Sequence, residues 1–528
     1  MGRESAAAQM NVSAPTKLSD TKTSPVQWNL IANFASLIIV IGINIVSAPI
    51  YIGALGAESY GLIGFYALLR AGLQVFDFGL SATMSRECAC FRGGSLNAAA
   101  LWRVLNGFEI IFMTVAFFIA VALIGLAPTI AAHWLKLHAL PVSKVSQALN
   151  FLSLALSFQW VTGLYRGLLI GFEKQRLLAS LDIIFAAGRF FGGLAAVSLF
   201  GATVEVFFAI QAIVTLVELV AFAWLSRRTM PVGREILSKA VMLELKRTLK
   251  FASAIGLLTV CWIALTLGDR FILSNVLTLQ EFGVFTLAVT ASSTPLNLST
   301  PLGQVLLPRL TVLSAQGEHN AALKLYRDGT QLAAVAALPA ALVLALFSKQ
   351  ILWIWTGDSV LAGRAAPILS AYALGSGIVP LNAFSYYLQY SRGRLRLNMV
   401  GNVLEMVIFL PGAFFIARWY GPAALGWFWT TSNVTFLIFW TAVVHHKFLP
   451  GLHWSWVSKD IGAIVVPTAL VGALLQLVWQ WPDDRLTAFV ELVLISALVL
   501  STATASSSAV RGWVGDRTQK LRKGQAPA

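Results

Sequence analysis

The sequence predicts an all-α polytopic membrane protein with about 14 transmembrane helices, and three observations carry that reading. First, 57% of the 528 residues are hydrophobic and only 12% are charged. The mean hydropathy of +0.75 lies far above that of an ordinary soluble domain. Second, apolar segments of about 20 residues, the length that crosses a bilayer, recur along the whole chain. Third, Lys and Arg alternate between successive loops, as the positive-inside rule requires.

Residues 1–27 are polar, rich in Ser and Thr and sparsely charged, which predicts a disordered cytoplasmic tail. No short apolar stretch with a small-residue cleavage site starts near the terminus, so no cleavable signal peptide is expected. The apolar segments then fall near 28–53, 60–85, 104–128, 146–171, 178–200, 203–226, 250–275, 282–307, 329–348, 365–389, 398–418, 422–445, 460–480 and 486–508. With this division the tails and loops on the N-terminal side hold 28 of the 38 basic residues, and the loops on the other side hold six. The remaining four, Arg70, Arg166, Arg189 and Arg270, fall inside spans. An even number of spans with both termini cytoplasmic follows.

The net charge of +15 would suggest nucleic acid in a soluble protein. Here most of the basic residues sit in loops on one side of the membrane, and no basic run with interleaved aromatics accompanies them, so no nucleic-acid partner is expected. Cys88, Cys90 and Cys261 lack zinc-site spacing, and no metal is expected. The chain has no Gly-x-x-x-x-Gly-Lys-[Ser/Thr], His-Glu-x-x-His or Gly-x-Ser-x-Gly sequence, and no long outer loop, so it does not read as an enzyme.

The longest internal connection, Arg227 to Lys250, is basic and separates six spans from eight. Its second half, from Glu235, has an amphipathic pattern that suits the membrane surface. A weak repeat supports the division. Gly61 after Glu58-Ser-Tyr60 and Gly283 after Gln280-Glu281-Phe282 both open long spans that end at an arginine, Arg86 and Arg309. Transporters built from structural repeats show self-similarity of this kind.

From Glu58 to Arg92 the second span carries Arg70, Gln74, Asp77, Ser81 and Ser85 at helical spacing, a polar stripe expected to line a cavity rather than face lipid. Ionisable groups inside spans are candidates for function or for interhelical pairing. Glu109, Glu218, Asp182 and Arg166 lie close to span ends and are expected near the headgroups, whereas Arg70, Asp77, Arg189, Asp269 and Arg270 lie deeper. The spacing of seven within Arg70/Asp77 and Asp182/Arg189 is too long for a bridge along one helix, so these groups are expected to pair across helices or to bind something between them. Arg70, Arg189 and Arg270, with Gln74, suit an anionic substrate because guanidinium forms fork-shaped contacts with phosphate or carboxylate. Asp77, Asp269 and Glu405 are the candidates to bind a proton or sodium ion. Pro295 and Pro301 predict a kinked, cavity-facing eighth span, and Gly375, Gly377 and Pro380 do the same in the tenth.

The motifs in the second span, Tyr60-Gly61-Leu62, Phe76-Asp77-Phe78-Gly79-Leu80-Ser81 and Arg86, resemble the pattern of the polysaccharide exporters, the Wzx-type O-antigen flippases of the multidrug/oligosaccharidyl-lipid/polysaccharide exporter superfamily. Asp269-Arg270-Phe271-Ile272-Leu273, Glu281-Phe282-Gly283-Val284-Phe285 and Leu307-Pro308-Arg309-Leu310 resemble its second-half pattern. The resemblance implies two six-helix bundles, 28–226 and 250–445, around a central cavity, joined by a linker at 227–249. Two additional spans at 446–508 and a basic cytoplasmic tail at 509–528 would follow. It also implies a lipid-linked oligosaccharide, carried on polyprenyl pyrophosphate and turned across the bacterial inner membrane for surface polysaccharide such as lipopolysaccharide or exopolysaccharide. A polysaccharide polymerase and chain-length machinery would be partners. Alternating access driven by protons or sodium would be the mechanism. A lipid II flippase, a drug exporter of the same superfamily and, from another class, a membrane glycan polymerase or ligase are the competing readings.

Overall fold

The computed structural model describes residues 25–231 except 78, 200 and 202, then 260 and 263–513, with side chains from 35 onward save 75 and 300. The expectations for most of the N-terminal tail, for the surface segment after Glu235 and for the last residues of the C-terminal tail lie outside the described residues.

In α1, Pro25–Leu73, two helical rods meet at Gly56, whose φ of 84° is a left-handed conformation that side chains disfavour. A 3-10 turn, Gln74–Asp77, and Gly79 at φ 76° separate α1 from α2, Leu80–Arg92. Next come α3, Ala98–Thr129, extended by a π-helical stretch Ile130–Trp134, then α4, Val142–Gly171, α5, Gln175–Leu199, and α6, Val204–Thr229. A helix over 263–276, α7, leads to α8, Leu279–Ser292, and α9, Thr294–Ala315. The second half continues with α10, His319–Leu346, the short α11, Ser348–Thr356, and α12, Ser359–Ser391. In α13, Arg396–Thr435, two rods meet at Gly421, φ 79°, and a π-helical stretch Phe436–Trp440 runs on into α14, Thr441–Phe448. The single turn α15, His453–Trp456, continues through π-helical Val457–Gly462 into α16, Ala463–Val478, and α17, Arg485–Ser506, is followed by a last helical stretch over 508–513.

Nine stretches among the described residues are individually long and apolar enough to cross a membrane. Two of them, Ala35–Leu73 and Arg396–Phe448, each contain two rods at a glycine kink. Adding α4, α7 and the α8–α9 pair, which are more polar or described only in part, recovers about 14 crossings. The chain is a multi-pass all-helical membrane protein.

The single continuous stripe from Arg70 to Ser85 is corrected, because the helix that carries it is broken between Gln74 and Gly79. Asp77 Oδ1 accepts from Ser81 N at 3.2 Å and from Ser81 Oγ at 2.8 Å, so it caps the restarting helix. The restart turns α2 onto α4. A Cβ on Gly167 would sit 2.3 Å from Ser81 O, and one on Gly171 2.4 Å from Ser85 O, so the two backbones are in direct contact.

The apolar packing locates the cavity. One cluster joins both halves at the face opposite the N-terminus, with Tyr60 and Leu62 of α1 against Leu279 and Phe285 of α8 and Leu369 of α12. Towards the N-terminal face the halves hold separate clusters, one around Met84, Phe108 and Phe222 and another around Leu310, Tyr326 and Phe384. The two bundles therefore meet at one face and part towards the other.

Candidate functional site

The meeting face is held by backbone contact that only glycine permits. A Cβ on Gly61 would lie 2.1 Å from Leu279 O, and one on Gly283 would lie 2.1 Å from Ala57 O. The repeated glycines thus cross each other's helix reciprocally. Polar contacts reinforce this seal. Glu58 accepts from the backbone N–H groups of His138 and Ala139 at 2.7 and 2.9 Å, Leu279 N donates to Lys136 O at 2.9 Å, and Trp134 Nε1 donates to Ser274 Oγ at 3.1 Å.

Between this seal and the N-terminal face lies a cavity of about 800 Å³. It runs along α1 from Ser36 to Arg70, with α4, α5 and α6 on one side and Thr286, Thr290, Pro301 and Gln304 on the other. It reaches the N-terminal face at Gln175, the first residue of α5. Pro301 is thus on a cavity-facing segment, as the sequence suggested, and Ser293 separates α8 from α9, with Pro295 in the first turn of α9. In α12, by contrast, Gly375 and Gly377 receive Trp429 and Ala341, and this span does not line the cavity.

Three arginines and one aspartate face the cavity. Arg166 of α4 and Asp182 of α5 form an ion pair across helices. Arg189 Nη1 lies 2.5 Å from Glu218 Oε2 of α6. Gln211 Nε2 donates to Arg189 O at 3.0 Å and Tyr51 OH to Phe190 O at 2.9 Å, which fixes α5 against its neighbours. Arg70 is exposed within the cavity and has no hydrogen-bond or ion-pair partner among the described residues. Tyr66 lies within electrostatic reach of Arg70, Arg189 and Glu218, which places these charges in one neighbourhood. Two neutralised pairs and one free guanidinium leave the cavity wall with one uncompensated positive charge, together with the remaining donors of Arg166 and Arg189.

Of the two pairs spaced by seven, Asp182 and Arg189 do pair across helices, whereas the same expectation is corrected for Arg70 and Asp77: Arg70 has no such partner among the described residues, and Asp77 bonds Ser81 locally because the helix breaks there. Of the groups near span ends, Arg166 and Asp182 line the cavity, and Glu218, only 4% exposed, lies against Arg189. The spans extend beyond their most apolar cores, so groups near a hydropathy boundary still lie in the bundle. Glu109 does sit towards the N-terminal face, where it accepts from Tyr165 OH at 2.8 Å and from Arg227 at 2.9 Å.

Other sequence candidates stand apart from the cavity. Gln74 is exposed in the 3-10 turn and does not line it. Arg270 is partly buried in α7 beside Asp269, with Nε enclosed and without a hydrogen-bond partner. Asp269 is 2% exposed and accepts from Tyr372 OH at 2.8 Å and from Arg270 N at 2.8 Å. Glu405 accepts from Ser432 Oγ at 3.4 Å. Asp77, Asp269 and Glu405 therefore occupy three separate environments, each with its own hydroxyl partner.

Residues 28–314 match the family described as "Polysaccharide biosynthesis protein", more than half of the chain. Among solved structures, the chain is similar to the lipid II flippase MurJ in an inward closed conformation, with a TM-score of 0.69 at 14% identity over 91% of this chain and 98% of that one. It is also similar to an inward-facing multidrug resistance MATE transporter of the MOP superfamily, TM-score 0.63 at 13% identity over 77% and 96%. A MOP superfamily transporter from Pyrococcus furiosus, described as having a binding pocket of reversed polarity, gives 0.53 at 14% identity over 84% and 99%. No curated protein matches the chain in sequence.

Proposed function

Since the chain belongs to the polysaccharide biosynthesis protein family, we propose that it is a flippase for an oligosaccharide carried on a polyprenyl pyrophosphate. The substrate would cross the bacterial inner membrane, for surface polysaccharide synthesis, through the cationic cavity. The observation that carries this reading is Arg70, an unpaired guanidinium exposed to a cavity inside a membrane protein. A charge there is costly unless something occupies the site, and an anionic group is the natural occupant. Arg166 and Arg189 keep donors for the second phosphate or for acidic sugars, and Gln304, Thr286 and Thr290 suit hydroxyl groups. The bulky glycan would travel in the polar cavity while the polyprenyl chain stays in the bilayer.

The basic residues on the N-terminal face make that face cytoplasmic, so the sealed end at Gly61 and Gly283 faces outward. Transport then requires the reciprocal glycine crossing to part while the N-terminal ends of the bundles close. Of the three carboxylates, Asp77 is tied to Ser81 and Asp269 to Tyr372. Glu405, with one long hydroxyl contact, is the freest to exchange a proton or sodium ion and is our candidate for coupling. A lipid II flippase shares the pyrophosphate and remains the competing reading, whereas a drug exporter for cations would be opposed by the positive wall.

A leaflet-specific assay of lipid-linked glycan in cells lacking the protein tests the proposal. Surface-polysaccharide precursor should accumulate on the cytoplasmic leaflet and clear when the wild-type chain, but not R70Q, is restored. Accumulation of lipid II in its place would favour the competing reading.

A further inference from the structure

A second concave site, sharing no lining residue with the first, lies on the N-terminal face of the C-terminal half. It encloses about 480 Å³. Its floor is apolar, formed by Leu310, Leu323, Leu388 and Phe448, and its rim carries His319, Arg392, Arg394 and Lys447. Among the described residues, no acidic side chain lines it. The three permanent cations come from two turns, those after α12 and at the end of α14, which the fold brings together.

Arg392 joins these turns: its Nη1 donates to Phe448 O at 2.8 Å and its guanidinium lies 5.5 Å from the Phe448 ring centre. Burial and the neighbouring Arg394 pull the Arg392 guanidinium below its usual pKa, a sign that like charges are crowded here. Arg394 and Lys447 form no ion pair among the described residues. Concave, low-dielectric walls concentrate such a field and favour an anion. The first turns of α13, directly after Arg394, expose Met399, Val400, Val403 and Leu404, an apolar strip beside the cationic rim.

We propose that this pocket binds the phosphate of an anionic phospholipid in the leaflet at the N-terminal face, with the acyl chains lying along the exposed strip of α13. Basic pockets between membrane helices on the cytoplasmic side recognise phosphate headgroups in this manner. The site would anchor the C-terminal half to its leaflet independently of the transport cavity.

Native mass spectrometry of the full-length protein extracted from mixed phosphatidylglycerol and phosphatidylcholine bilayers reads the site without any transport step. Wild type should retain phosphatidylglycerol selectively. The R394Q/K447Q variant, which leaves the Arg392 bond to Phe448 in place, should retain about tenfold less. A K174Q/R176Q variant, with the same charge removed from the other half, should behave as wild type. Equal retention by R394Q/K447Q, equal loss in the control, or no preference over phosphatidylcholine would overturn the site. Displacement of the lipid by inorganic phosphate at equal concentration would overturn the lipid assignment.

Discussion

The two halves of the molecule start from related helices and use charge in opposite ways. In the N-terminal half Arg70, Arg166 and Arg189 face a cavity, and among the described residues only two of the three have carboxylate partners. In the C-terminal half one charged network is closed into protein. Asp460 is 1% exposed and accepts from Arg327 at 2.7 Å and from Gln331 at 2.8 Å, and Ser507 completes the network by donating to Gln331 at 2.9 Å. The second network locks α10 to the last two spans. The contrast shows that an intramembrane charge does not by itself mark a transport site; what distinguishes Arg70 is exposure to a cavity without a partner.

The glycine crossing gives the largest expected effect on structure. G283V places a side chain onto Ala57 O, where even a Cβ would be 2.1 Å away, and should part the bundles at the glycine seal or prevent folding, at a cost of about 3 kcal/mol or more. G188A, whose Cβ would be 3.6 Å from Val214, should be close to neutral. Thermal unfolding in detergent, with cysteine accessibility at the glycine seal, separates the two.

Next in size are the buried pairs. E218Q and D460N each leave an arginine short of its partner and should destabilise by about 3 kcal/mol, read by thermal shift. Only E218Q should also alter transport beyond what the lower protein level explains, because only Arg189 faces the cavity. D77N should be smaller, about 1 kcal/mol, because the amide keeps an acceptor for Ser81.

The smallest effect is expected at the exposed pair Arg92–Glu173, 2.9 Å apart. Arg92 lowers the Glu173 pKa, so the pair's contribution is present above the ordinary carboxylate range and disappears as pH falls through the depressed value. R92Q should shift stability by less than about 0.5 kcal/mol at neutral pH and abolish that acid-side dependence. Unfolding midpoints measured from neutral to acid pH check both.

Much of this was legible in the sequence. Hydropathy and the alternation of basic loops locate the spans, since both arise from the bilayer itself, and the repeat at Gly61 and Gly283 foreshadows the crossing of the two halves. Arg70 and Arg189 are readable as cavity residues because charge inside an apolar helix needs a polar environment. The break at 74–79 was hidden because helical spacing continues through it; the Asp77 and Gly79 that restart the helix also fit an uninterrupted pattern. Arg166, Asp182 and Glu218 were hidden because their partners lie on other helices, a relation that spacing within one span cannot show. Arg270 fits the cationic pattern yet lies away from the cavity beside Asp269, so residue type alone did not place it.

The most direct test of Arg70 as the anchor for the substrate's phosphates is flipping of a defined polyprenyl-pyrophosphate oligosaccharide in proteoliposomes. R70Q should lower the rate about tenfold to a hundredfold, the loss expected for a charge-assisted contact. R70K should keep part of it, through charge without the fork. R270Q, outside the cavity wall, should stay near wild type once the amount of folded protein is matched. An R70Q protein that flips this substrate at the wild-type rate would contradict the account.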